Sequence, residues 1–251
     1  MNNLSVGRSI RNRYIFSSGR LVTSKSEVPL EYESELEKNF LSLLIFDEAI
    51  KSIKTQPFTI KWHNGNQPKR YTPDVLIEMM NVENKVKTIR KFVFEVKPRK
   101  ILSAEWELFL PRFRAAVGSC KKHSCLFKLV TDEYIDTPYL TNVNFLLQYD
   151  QSRFSISDLD IVTEIKSQIN FILTHQPLSI NELAQSLSPD KTTQQQFLPY
   201  IWMLVRHGKL NAELTTPLTM KTLVWNGEPP FDYNFEQSPI RRRLRSRIIT
   251  P

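Results

Sequence analysis

The stretch from Tyr71 to Lys97, YTPDVLIEMMNVENKVKTIRKFVFEVK, decides how this chain is read. Val75 to Met79 and Lys91 to Val96 are rich in β-branched and aromatic residues and read as strands. Asp74 then stands at the mouth of one strand, and Glu95 and Lys97 lie two apart near the end of the next. Side chains alternate across a strand, so Glu95 and Lys97 share a face. Two carboxylates and an ammonium are thereby expected to converge.

Such a set suits one chemistry. Mg²⁺ prefers hard oxygen ligands, binds through a few carboxylates and keeps waters that it shares with a phosphate. Asp74 and Glu95 supply such ligands, with the Val96 carbonyl as another, and Mn²⁺ can substitute. A lysine at the place of Lys97 orients the attacking water and offsets charge on a pentacovalent phosphorus. The bland reading makes Lys97 a strand-end lysine snorkelling to solvent. Its pairing with Asp74 and Glu95 favours the chemical reading: phosphodiester hydrolysis.

Working outward, Tyr32 to Leu44 reads as a helix, with Leu36, Phe40, Leu43 and Leu44 on one stripe. A further strand run spans Ile53 to Trp62, and HNGNQPKR after it reads as a hairpin loop. After Lys97 the expectation is a helix entered through Ser103 as N-cap and kinked or divided at Pro111. A strand from Ser124 to Thr131 and a helix from Tyr139 to Tyr149 follow. This order predicts an α/β fold, a mixed sheet flanked by helices. Upstream, Arg8 to Lys25 reads as a basic arm or hairpin turning at its glycine. Beyond about residue 151 helices dominate, at Asp158–Thr174, Ser179–Leu187 and Thr192–His207, followed by a two-stranded wing. That pattern predicts a winged helix-turn-helix. The expected domains are thus 1–151 with a basic arm over 1–27, 152–226, and an extended Arg-rich tail over 227–251.

Charge agrees with a polyanionic partner. The 251-residue chain carries a net +8. Residues 1–150 hold 23 Lys+Arg against 17 Asp+Glu, residues 151–240 hold 6 against 9, and five arginines fall between Arg241 and Arg247. The acidic balance of the helical part favours protein docking over DNA reading for that domain. The tail is expected to track DNA backbone or to fold on a partner, with Leu244, Ile248 and Ile249 as anchors. Cys120 and Cys125 read as buried thiols. No signal-peptide or membrane-spanning run is present, so a soluble protein of the cytoplasm is expected.

Pro73-Asp74 with Glu95-Val96-Lys97 resembles the PD-(D/E)XK signature of restriction-endonuclease-like nucleases. The longer run, YESELEKNFLSLLIFDEAIKSIKTQPFTIKW followed by RYTPDVLIE and FEVKP, resembles the N-terminal domain of the TnsA family, endonuclease subunits of heteromeric bacterial transposases. That resemblance implies cutting of the non-transferred strands of double-stranded DNA at transposon ends. It also implies a DDE transposase (TnsB-like) and an AAA+ regulator (TnsC-like) as partners. It implies a helix glutamate at the metal site as well, Glu37 by its spacing to Gln56-Pro57-Phe58. Glu33, one turn earlier, is the competitor, and Glu35 points elsewhere. An autonomous restriction or repair nuclease and an inactive DNA-binding scaffold remain the alternatives. Gln56 fixes backbone, touches DNA or has no role. Lys100, Arg112, Arg114 and His123 receive none.

Overall fold

The computed structural model describes residues 18–65, 67–83, 86–174, 176–227 and 238–245. Most of the basic arm lies outside them. Its glycine does not turn a hairpin: β1 (Gly19–Leu21) pairs antiparallel with β2 (Leu30–Tyr32), Gly19 opposite Tyr32. A Cβ at Gly19 would strike the Tyr32 ring, so glycine lets that ring cross the strand. Because Tyr32 is held in β2, the first helix begins later than its periodicity suggests. α1 (Glu35–Phe46) starts after Ser34, whose Oγ accepts the Glu37 N–H at 3.2 Å.

The expected strand Ile53–Trp62 is two strands. β3 (Ile50–Thr55) stops at Gln56, whose φ of 45° is left-handed, and Pro57 follows. β4 (Ile60–Asn64) and β5 (Gln67–Tyr71) then form a separate hairpin, so Gln67 to Arg70 is strand rather than loop. β6 (Val75–Glu83) and β7 (Val86–Val96) follow. α2 (Arg99–Ala104) and α3 (Trp106–Lys122) lead to β8 (Cys125–Val130). Ser103 therefore lies inside α2 and caps nothing, the break falls at Glu105, and α3 runs through Pro111 undivided. Pro111 forfeits one bond to the Glu107 carbonyl, and Glu107 is exposed, so water can take that acceptor.

The central sheet has the order β3-β6-β7-β8, antiparallel except for the parallel pair β7 and β8. It is the expected mixed sheet. Alternation along β7 assigns its two faces. Phe92, Phe94 and Val96 enter one core with α1, where Phe40 meets Phe94 edge-on at 5.0 Å. Val93 enters the other core with Phe109 and Phe113 of α3. Glu95 and Lys97, in phase with Val93, consequently face α3.

Beyond β8 come α4 (Asp132–Ile135), α5 (Pro138–Leu146) and two 3-10 turns, then α6 (Ile156–Ile172). β9 (Leu178–Ser179), α7 (Ile180–Leu187) and α8 (Lys191–Arg206) precede β10 (Asn211–Ala212) and β11 (Leu223–Trp225). The three short strands form a sheet of order β10-β11-β9. Capping boxes start α6 at Ser155/Asp158 and α7 at Ser179/Glu182, as the Ser-x-x-Glu spelling of α7 predicts.

The two halves share one apolar core running from Leu30 to Ile240. Asn142 of α5 stitches them: its Nδ2 donates to Leu214 and Thr216 carbonyls at 2.8 and 2.6 Å, and its Oδ1 accepts the Leu218 N–H at 3.1 Å. Asn142 is 2% exposed. Asn142→Ala is expected to cost about 2–3 kcal/mol, because the buried groups it served lose their partners; urea unfolding measures it, and a change below about 1 kcal/mol would refute the stitch.

The tail is not extended throughout. α9 (Pro239–Arg245) docks on the first half: Ile240 is buried, Arg241 Nε binds Asp47 Oδ2 at 2.8 Å, and Arg243 Nε donates to the Leu129 carbonyl at 2.7 Å. Asp47 is itself buried and calls for a cation. Leu244 packs inward too, whereas Arg247, Ile248 and Ile249 lie outside the described residues.

Candidate active site

At the C-terminal ends of β7 and β8 the sheet brings Tyr71, Asp74, Glu95, Val96, Lys97 and Arg112 together. Asp74 lies just before β6; its N–H donates to the Phe94 carbonyl at 3.1 Å and its carbonyl accepts the Gln56 N–H at 2.8 Å. Its Oδ2 accepts the Val96 amide at 2.6 Å, so Val96 joins the cluster through its N–H. Burial pushes the Asp74 carboxyl well above the usual range, and the Glu95 and Glu37 charges push it further.

Glu95 is 2% exposed, and three neighbours offset that burial. The Tyr71 hydroxyl donates to its Oε2 at 2.5 Å, while Lys97 Nζ and Arg112 Nη2 each stand 3.3 Å from its Oε1. Burial and the Glu95 charge raise the Tyr71 phenol, so it remains a neutral donor. Burial opposes the charge on Lys97, but Glu95 and Asp74 outweigh it and hold the ammonium above its ordinary value. The bland snorkelling position is not what Lys97 adopts.

The two helix-entry glutamates separate. Glu33 precedes the helix and accepts Gln56 Nε2 at 2.9 Å, so it does not share a helical face with Glu37. Glu37 accepts the Glu33 N–H at 2.8 Å and the Ser34 hydroxyl at 3.0 Å, and its charge reaches Asp74. Gln56 thus ties the Asp74 backbone to the Glu33 side chain.

A divalent cation fits this donor set. Two hard carboxylates lie close enough for Glu95 to destabilise ionised Asp74, and a cation between them reverses that repulsion. Among the described residues no three His, Cys, Asp or Glu side chains form a metal-holding group, so Glu37 does not join Asp74 and Glu95 in one. A cleft of about 840 Å³ at the junction of the halves, lined by Lys25, Glu48, Asp150 and Arg206, shares no residue with it.

Sequence reading left Arg112 and Tyr71 without roles. Arg112 reaches Glu95 from α3 with its guanidinium 4.2 Å from the Phe109 ring centre, 5.2 Å from Phe113 and 5.4 Å from Tyr71. The i, i+3 and i+4 spacing of Phe109, Arg112 and Phe113 was the available signal. Arg112→Gln is expected to slow cleavage about 10–100-fold, the equivalent of one charge-assisted bond. Arg112→Lys should not restore it, since an ammonium lacks the planar fork that stacks between rings. Single-turnover nicking checks both, and full activity in Arg112→Gln would rule the residue out. Cys120 and Cys125 are buried free thiols, as expected.

Family models match the chain in two adjoining segments. Residues 47–132 match the description TnsA-like endonuclease N terminal, which spans Asp74, Glu95, Lys97 and Arg112 and begins after Glu37. Residues 135–213 match TnsA endonuclease C terminal, and the break between the two falls inside α4. No curated protein matches the chain. Two adjoining matches in the family's own order, with the carboxylate site inside the first, place this chain in the TnsA family of transposition endonucleases.

Proposed function

We propose that the chain is a Mg²⁺-dependent DNA endonuclease that cuts the non-transferred, 5′ strands at transposon ends, acting with a DDE transposase and an AAA+ regulator. The observation that carries this reading is the convergence of Asp74, Glu95 and Lys97 at one strand end, in a chain of the TnsA family. Asp74, Glu95 and the Val96 carbonyl would hold Mg²⁺, or Mn²⁺ in its place. Glu37 is a further carboxylate, because its capping bonds leave lone pairs free. The ion supplies polarisation of the phosphoryl oxygen and a more acidic water. Lys97 neutralises developing phosphate charge, and Tyr71 and Arg112 hold Glu95 in place.

The C-terminal half we read as a winged helix-turn-helix: α6, α7 and α8 form its helices, and β10 and β11 its wing. The first turns of α8 offer Gln194, Gln195 and Gln196 with Lys191 as the cation, which suits docking on a protein better than gripping phosphate. The test is nicking of a labelled transposon-end duplex in Mg²⁺, with and without the partner transposase. Cutting of the 5′ strand only with the partner present supports the subunit reading. Partner-free cutting indicates an autonomous nuclease instead, and no cutting under either condition defeats the enzyme reading.

A further inference from the structure

The β4–β5 hairpin is built in a way that folding alone does not require. Its register sets Lys61 directly opposite Arg70. Like charges facing each other across an antiparallel pair destabilise it. From Gln56 to Pro73 the sequence holds Lys61, Lys69 and Arg70 and no Asp or Glu. All three are exposed, and among the described residues none has an acidic partner. Three cations elsewhere are instead neutralised locally: Arg20 pairs with Glu31, Lys38 with Glu35 and Lys91 with Glu78.

The other face of the hairpin is tied to the site. Ile60 and Tyr71, opposite each other in the register, are buried, and Trp62 meets the Tyr71 ring edge-on at 6.4 Å. The Tyr71 hydroxyl then reaches Glu95. On the cationic face, the Lys61/Arg70 rung is followed toward Asp74 by Thr59 and Thr72, whose hydroxyls meet at 2.9 Å. Arg70 is four residues from Asp74, an extended reach of roughly 13 Å. A phosphate gripped on this face is therefore fixed relative to the carboxylates by a short, rigid path. Consecutive phosphates of one strand advance about 3.4 Å along the duplex axis, so the grip falls a few nucleotides from the scissile bond.

We propose that the Lys61–Arg70 face of this hairpin is a docking surface for the phosphate backbone of duplex DNA, holding it in register with Asp74 and Glu95. The proposal rests on the nuclease reading above. Polyanion binding removes the Lys61/Arg70 repulsion and releases counterions, so each contact adds to the salt dependence of affinity. The alternative use of such cations is to keep the free edges of a two-stranded ribbon from pairing with other chains.

The experiment is the salt dependence of binding to a labelled duplex of random sequence between about 50 and 200 mM salt, where each phosphate contact adds about 0.9 to the slope. Full-length wild type is compared with Lys61→Gln/Arg70→Gln and with Lys209→Gln/Lys221→Gln, which removes the same charge from the C-terminal half. The hairpin variant is expected to lose about 1.8 from the slope and to bind at least about tenfold more weakly, at an unchanged or higher melting temperature. The control should retain the wild-type slope. A wild-type slope in the hairpin variant, an equal loss in the control, or aggregation of the variant with unchanged DNA affinity overturns the proposal. Nicking with the transposase, run on the same preparations, separates the two readings. If wild type nicks while the hairpin variant binds normally, only the hairpin proposal falls; if wild type neither binds nor nicks, both fall.

Discussion

Asp74→Asn is expected to reduce DNA cleavage by at least about 10³-fold, some 4 kcal/mol of transition-state stabilisation, while raising the stability of the metal-free protein at neutral pH. The amide keeps an oxygen to accept the Val96 N–H, so the local bond survives. What disappears is a buried negative charge set against Glu95 and Glu37. The sign follows from linkage. Folding raises this carboxyl above its ordinary value of 3.8, so the unfolded chain releases its proton first as pH rises. Stability from this group is thus undiminished below that value and declines from there up to the raised folded one. Asn has no such decline. Melting curves in a chelator from about pH 4 to pH 8, across the carboxylate range, should diverge in favour of the variant as pH rises. Lower stability of the variant at neutral pH would mean the carboxylate is well solvated, and surviving cleavage would mean that the site lies elsewhere.

Loss of Arg206 should be the largest purely structural effect. This arginine closes α8 yet serves the other half: Nη1 donates to the Phe46 carbonyl at 3.2 Å and binds Glu48 at 2.8 Å, and Nη2 approaches the Ile45 carbonyl and Asp150, each at 3.4 Å. Its guanidinium also lies 5.0 Å from the Phe46 ring centre, and the side chain is 3% exposed. Cations belong at a helix C-terminus, where orphan carbonyls gather, and Arg206 fills that place for α1. Arg206→Ala is expected to cost about 3 kcal/mol, or roughly 6–12 °C in melting temperature for a chain of this size. Glu48 and Asp150 are partly exposed, which keeps the figure at the low end for a broken buried pair. Arg206→Lys should recover only part, because one ammonium cannot span four acceptors. A shift under about 2 °C would show that the apolar core alone joins the halves.

His207, whose Nδ1 stands 3.7 Å from the carboxylate, does most to hold the Glu48 carboxyl far down, at about 2, although burial works against it. The junction therefore gains from ionised Glu48 above the ordinary carboxylate range and loses that gain as pH falls toward 2. Glu48→Gln should flatten acid unfolding in that window, followed by circular dichroism; an unchanged acid limb would exclude the linkage.

The sequence by itself determined what depends on local periodicity and local chemistry. Alternation of period two placed Glu95 and Lys97 on one face of β7, and Ser179 with Glu182 spelled the start of α7. Only the tertiary structure decided the rest. Arg112 meets Glu95 because α3 crosses the face of β7 on which Val93 lies, a consequence of packing. Glu33 and Glu37 parted because Tyr32 is held in β2, which sets where α1 begins. Pro111 stayed inside α3 because its helix packs on the sheet through Phe109 and Phe113. The arginine tail became a docked helix because Asp47, 194 residues from Arg241, is buried and needs a counter-charge. Contacts over such separations depend on which surfaces the folded chain presents to each other, and burial sets their energies, so no local pattern encodes them.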